Sequence, residues 1–340
     1  MNRQWISKEL LKLLNTPSPT GFCHIIMAKL QETFKELGYT MTYTNKGNGT
    51  IMIPGLDNTK TIGIAAHVDT LGAMVRSIKS NGTLAFTTVG GYTMHSVEGE
   101  YVTIYTREGK TYTGTILNTE PSVHVHEGAR TQERKIDNME IRLDEVVKSK
   151  EDVAKLGIET GDFVALDARA ILTDSGFIKS RHLDDKAGVA AILGFLKTLK
   201  DEKLTPKFNL AIIISTYEEV GHGSSSLPEG LSEVIAVDMG AMGSDLTCTE
   251  QQVSICPKDS SGPYDFHMTS ALIEAAKNHD INYAVDIYPY YGSDVSAALR
   301  AGHDIKGALI GPGVHASHHM ERTHLDGIVQ TAQLLKAYLV

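Results

Sequence analysis

Three apolar runs in this chain each end in an acid or a histidine. Thr61-Ile-Gly-Ile-Ala-Ala66 runs into His67-Val-Asp69, Asn209-Leu-Ala-Ile-Ile-Ile214 into Ser215-Thr-Tyr-Glu218-Glu219, and Val234-Ile-Ala-Val237 into Asp238. Runs this short and apolar read as strands buried on both faces, and such strands need helices above and below them. Helical spacing of apolar residues supplies those layers over 5–14, 23–37, 186–200, 266–279, 293–301 and 324–339. The chain is therefore expected to be an α/β protein, a mixed sheet flanked by helices. In open sheets of this class, ligands bind beyond the carboxyl ends of the strands. His67, Asp69, Glu218, Glu219 and Asp238 fall there.

Between about 70 and 168 the texture changes. Short β-type segments at 83–89, 100–106, 111–117 and 162–166 alternate with turns such as Asn81-Gly82 and Arg107-Glu-Gly-Lys110, and only a short helix near 149–156 interrupts them. The expected organisation is a discontinuous catalytic α/β domain, 1–69 and 169–340, carrying an inserted small β-barrel-like domain over 70–168. Two further strands are expected around the turn Lys46-Gly-Asn-Gly49, over 39–45 and 50–53.

Ser180-Arg-His-Leu-Asp-Asp-Lys-Ala-Gly188 sets the chemistry. Asp184 and Asp185 open a helix whose Val189, Ile192, Leu193, Leu196 and Leu199 form a buried face. Adjacent carboxylates beneath such a face need positive charge, and only Arg181 and Lys186 are near in sequence. Metal ions would supply it; capping of the helix by either Asp is the simpler alternative. His67 and Asp69 are two apart on a strand, so both can face one way, with the carboxylate fixing the imidazole. A core histidine followed by a turn Asp is the plainer reading of that pair. Glu218 and Glu219, directly after a buried strand, suit one acid as ligand and its neighbour as general base. Carboxylates mixed with imidazole favour zinc, cobalt or manganese over calcium.

The net charge of −9 and a pI of about 5.9 argue against a nucleic-acid partner. Cys23, Cys248 and Cys256 form no CxxC pair, which points to a thiol-retaining, cytoplasmic compartment. No run reaches the roughly 18 apolar residues of a membrane span.

AAHVDT (65–70), HLDDKAG (182–188), STYEEVG (215–221), AVDMG (236–240) and ASHHMERTH (316–324) occur in this order. Together they resemble the cytosolic di-metal aminopeptidases of the glutamyl and deblocking aminopeptidase family, the TET type. The resemblance implies a di-zinc exopeptidase type of fold and two divalent ions, Zn2+ or Co2+. His67 and Asp238 would complete one metal site, Glu219 and His318 the other, and Asp184 would bridge them. Glu218 would be the catalytic base and Asp69 would orient His67; the doublet His318-His319 leaves the last ligand open by one residue. A cis Asp184–Asp185 peptide, peptide substrates and a tetrahedral homododecamer are implied as well. Arg181-His182 departs from the pattern, which has small residues there, and so does Gly221-His-Gly-Ser-Ser225.

Di-metal carboxypeptidases and N-deacylases share much of this ligand set. Their lid domain typically follows the glutamate pair, whereas the insertion here lies between His67 and Asp184. A glycosidase would also use paired carboxylates, but would leave His67 and His318 without a role.

Overall fold

The computed structural model describes all 340 residues. Its main sheet runs, from edge to edge, through Thr42–Tyr43, Gly49–Ile53, Phe208–Ser215, Asp57–His67, Leu231–Val237, Lys306–Val314, Val253–Cys256 and Tyr283–Val285. The four central strands from Phe208–Ser215 to Lys306–Val314 are mutually parallel, and antiparallel pairs flank them. This is the mixed α/β sheet expected from the sequence. Of the expected strand 39–45, only Thr42–Tyr43 pairs; both residues are exposed at the sheet edge, while Met41 before them is buried in the core.

Parallel register aligns the strand ends. His67 pairs with Ser215, so the Glu218-Glu219 turn begins beside it. Ala65 pairs with Ala236, which puts His67 and Asp238 at the same level two residues on. Gly311 makes this possible from the next strand: a Cβ there would fall 1.7 Å from the Asp238 carbonyl oxygen.

The Leu183–Glu202 helix crosses one face of the sheet and packs against the Arg3–Leu14 and Leu325–Leu339 helices. Enclosed on both sides, it is apolar nearly all round, as a core helix must be. Gly188 lets it touch the sheet, since a Cβ there would lie 2.5 Å from the Val237 carbonyl. Asp184 and Asp185 sit at its entrance with non-helical backbone angles, and the peptide between them is cis.

After Leu71 the chain leaves this body and forms a closed antiparallel barrel, ordered Gly72–Ile78, Leu84–Val89, Met139–Leu143, Thr111–Asn118, Tyr101–Tyr105 and Phe163–Leu166. Phe86, Ile104, Ile116, Ile141 and Val164 fill its interior as a hydrophobic cluster of its own. Two barrel strands, Gly72–Ile78 and Met139–Leu143, were not expected from the sequence; the first carries a register shift at Arg76 that breaks its alternation. No helix is long and apolar enough to cross a membrane.

Candidate active site

The strand ends, the helix entrance and one late loop converge on a cleft of about 480 Å³ lined by Asp184, Glu218, Glu219, Asp238 and His318, together with half-buried Tyr291 and exposed Tyr290 and Arg300. His67 lies buried at its floor. Its Nε2 is 3.2 Å from Asp184 Oδ1 and 3.8 Å from Glu218 Oε2. Its Nδ1 is 2.9 Å from the carbonyl oxygen of Asp69 and 3.5 Å from that residue's carboxylate. The Asp69 carboxylate has another task as well: it accepts the backbone N–H groups of Glu218 and Glu219, at 3.1 and 3.2 Å, and the Thr20 hydroxyl at 2.7 Å. One fully buried acid thus ties the histidine strand to the glutamate turn.

Donor atoms of His67, Asp184 and Asp238 lie within 4.8 Å of one another, and so do those of Asp184, Glu219 and His318. Asp184 is common to both groups. Of the doublet, His318 is the residue brought to this group: its Nε2 is 3.5 Å from both Asp184 and Glu219. The His319 ring instead accepts the Met320 N–H through Nδ1. His318 holds a left-handed backbone angle, φ +63°, unusual for a residue with a side chain. Asp185 turns away, its carboxylate accepting the N–H groups of Gly188 and His67, so it holds backbone rather than facing the cleft.

The electrostatics of this cluster are one-sided. Asp69, Asp184, Asp185, Glu218, Glu219 and Asp238 face two histidines. Neither nearby cation answers them: the Lys186 ammonium donates to the Thr16 carbonyl, and Arg181 turns towards Glu100. Burial pushes the carboxyls of Asp185, Glu218 and Glu219 well above their usual range, and neighbouring acids add to the effect. Burial, reinforced by the Asp184 charge, takes Asp238 up to about 7. Burial opposes the imidazolium of His67 and of His318, but hydrogen bonds to Asp184 outweigh it; His67 is held well above the ordinary imidazole value and His318 at about 10. Asp184 alone is drawn below the carboxylate range, because its bonds to His318 and His67 outweigh its burial. A metal-free pocket of this kind must take up protons to relieve its charge. Two divalent cations would relieve it directly, and an oxygen-rich donor set with one imidazole in each group fits zinc or cobalt.

Sequence reasoning missed Glu321. It is 2% exposed. Its Oε2 accepts the N–H groups of Leu183 and Asp184, at 2.6 and 3.2 Å, and its Oε1 that of His318 at 3.2 Å. One carboxylate therefore sets the backbone of both the shared aspartate and the loop histidine. Its position three residues after His318 was visible, but no spacing rule links it to Asp184, 137 residues earlier. Gly91 was equally invisible; its carbonyl oxygen lies 2.5 Å from His318 Nδ1.

Residues 47–334 match the family model described as M42 glutamyl aminopeptidase. The "Putative aminopeptidase YhfE" of Bacillus subtilis (strain 168) is 47% identical over 333 residues, covering 97% of this chain and 96% of that protein. An aminopeptidase from the archaeon Desulfurococcus kamchatkensis superimposes with a TM-score of 0.89 at 22% identity, over 99% of this chain and 95% of the other. The TET1 peptidase of Pyrococcus horikoshii, described as assembling into a tetrahedron or a large octahedral shell, gives 0.86 at 22% identity, over 98% of each chain. These solved structures share the fold.

Proposed function

The chain belongs to the M42 glutamyl aminopeptidase family, and from that premise we propose that it is a di-metal aminopeptidase that removes the N-terminal residue of peptides. The observation that carries the reading is the pair of three-donor groups sharing Asp184, set in acid excess with both Lys186 and Arg181 turned elsewhere. His67 and Asp238 would hold one ion, Glu219 and His318 the other, and Asp184 both. When bound, the ions acidify a water and polarise the scissile carbonyl.

The protein's own groups do the rest. Glu218 stands in the cleft with its carboxylate 16% exposed; it takes the proton of the attacking water and passes it to the leaving amine. Burial already favours its protonated form, which suits the second half of that transfer. Asp69 orients this base twice, through the Glu218 N–H and through His67. The free amino group of the substrate would bind beside the metals, which accounts for cutting at the chain end only. The related di-metal carboxypeptidase and N-deacylase chemistries would use the same water, but their lid domain typically follows the glutamate pair, whereas the insertion here lies between His67 and Asp184.

The division of labour proposed is a catalytic domain, 1–69 and 169–340, and an inserted domain, 70–168, that shapes access without supplying ligands. By likeness to the TET1 peptidase, the protein assembles into a closed tetrahedral homododecamer, and it acts in the cytoplasm.

Glu218→Gln tests the chemistry. The variant keeps the size of the side chain and removes the base. It should retain both ions and bind peptide, while turnover falls about a hundred- to ten-thousand-fold. Near-native rates exclude Glu218 as the base, and loss of metal means the roles of Glu218 and Glu219 are exchanged. Asp184→Ala, by contrast, should lose both ions together with activity.

A further inference from the structure

Arg181 is the least expected side chain near the site. It is 2% exposed, among the largest fully buried side chains of the protein, and stands where the resemblance calls for a small residue. Its guanidinium does not turn to the acid cluster three residues away. Nη2 donates to the carbonyl of Ser96, on the barrel segment between Leu84–Val89 and Tyr101–Tyr105. Nη1 donates to the carbonyl of His319 at 3.3 Å, on the loop that carries His318. Nε lies 3.2 Å from Glu100 Oε2, close enough for an ion pair though not aligned for a hydrogen bond. The other oxygen of Glu100 takes Arg169 at 2.5 Å.

Those two carbonyls flank the place where the barrel segment meets the candidate ligands. Gly91, five residues before Ser96, holds His318 Nδ1 with its carbonyl. Gly90 beside it packs on Glu219, at 3.5 Å from a Cβ placed there. Fixing one ring nitrogen of a histidine in this way determines which nitrogen is offered to a metal and where it points. The Asp184–Glu219–His318 group is thus built partly against the barrel, whereas the hydrogen-bond partners of His67 and Asp238, among them Asp185, Asp69 and Met239, lie outside it.

We propose that Arg181 is a positioning residue that fastens the barrel segment 90–100 to the 315–321 loop, so that His318 is held for the second metal and the affinity of that half-site alone depends on the barrel. The proposal rests on the two-metal reading above. It predicts an asymmetry that a general structural role would not produce. A bidentate guanidinium is needed to reach both carbonyls at once, so lysine cannot replace it fully.

The test is a titration of the metal-free full chain with Zn2+ by calorimetry, and with Co2+ by visible absorption, alongside thermal unfolding. Wild type should take up two ions. Arg181→Met should bind the first ion as wild type does and the second about 10- to 100-fold more weakly, the usual cost of losing a group that orients a ligand. Arg181→Lys should fall between the two. Because Arg181→Met leaves Glu100 buried beside Arg169 alone and could unfold the chain, the double variant Arg181→Met/Glu100→Gln, which removes that charge, must show the same selective loss. Wild-type affinities at both sites in the folded variants, or equal weakening at both, would overturn the proposal. A wild-type chain that binds fewer than two ions would instead overturn the two-metal reading on which it depends.

Discussion

Asp184 belongs to both donor groups, and its acidity is the inverse of its neighbours': two imidazoles keep it ionised while burial drives the surrounding acids to take protons. This has a consequence for stability without metal. Asp238, taken up to about 7, and Glu321, taken up to about 8 chiefly by burial, favour the folded state while they are neutral. A group whose proton affinity is raised on folding contributes its full stability below its unfolded pKa and loses it as pH rises through the folded value. His318, raised to about 10, acts in the same direction. Asp184, lowered, gives a contribution that is lost only in acid. These groups should therefore make the metal-free chain less stable as pH rises from about 5 to about 8, against an opposing gain from buried His182, lowered to about 3, and buried Lys186, lowered to about 7. Urea unfolding across that range, with chelator and then with Zn2+, checks this; metal should flatten or reverse the slope, and a metal-free stability that rises towards pH 8 would contradict it.

Loops and elements divide the work between rigidity and access. Two central strand ends and the entrance of the Leu183–Glu202 helix supply His67, Asp238 and Asp184 from well-packed backbone. Glu218 and Glu219 stand on a single 3-10 turn, which would be free to move but for the Asp69 carboxylate beneath it. From the barrel, backbone reaches the site but no donor side chain belongs to either candidate group. His124 and His126 lie on the segment between Thr111–Asn118 and Met139–Leu143, and His95 on the 3-10 turn Met94–Ser96. Replacing His95, His124 and His126 together by Gln should leave the metal content per chain unchanged; a lost ion by elemental analysis would place a ligand in the insertion.

Across the whole molecule exposed apolar side chains stand on the α/β body, as Leu56, Phe266 and Tyr290 do, and on the insertion. Tyr101, Val123, Val125 and Val146 are exposed on it, and exposed apolar groups of this kind suit contact with other chains. Light scattering at micromolar concentration and physiological salt should show a large closed oligomer; a stable monomer would count against the tetrahedral assembly. Protein prepared without chelators should carry close to two ions per chain, and their removal should lower the unfolding temperature, because ligands bound only by the folded state stabilise it.

The sequence alone determined the layers and the chemistry of the strand ends. Apolar runs such as Asn209–Ile214 have only one environment available, a sheet covered on both faces, and an acid placed straight after one must lie at its edge. Local patterns of this sort survive folding because they concern neighbours along the chain. Barrel closure, the approach of His318 rather than His319 to Asp184 and Glu219, the grip of Glu321 on two loops, and the reach of Arg181 from Ser96 to His319 were decided only by the tertiary structure. Each joins groups far apart in sequence, as when a Gly91 carbonyl meets a ring 227 residues later. Carbonyls and N–H groups are the same at every residue, so which of them will stand opposite a side chain is settled by packing, not by the identity of the residue that carries them.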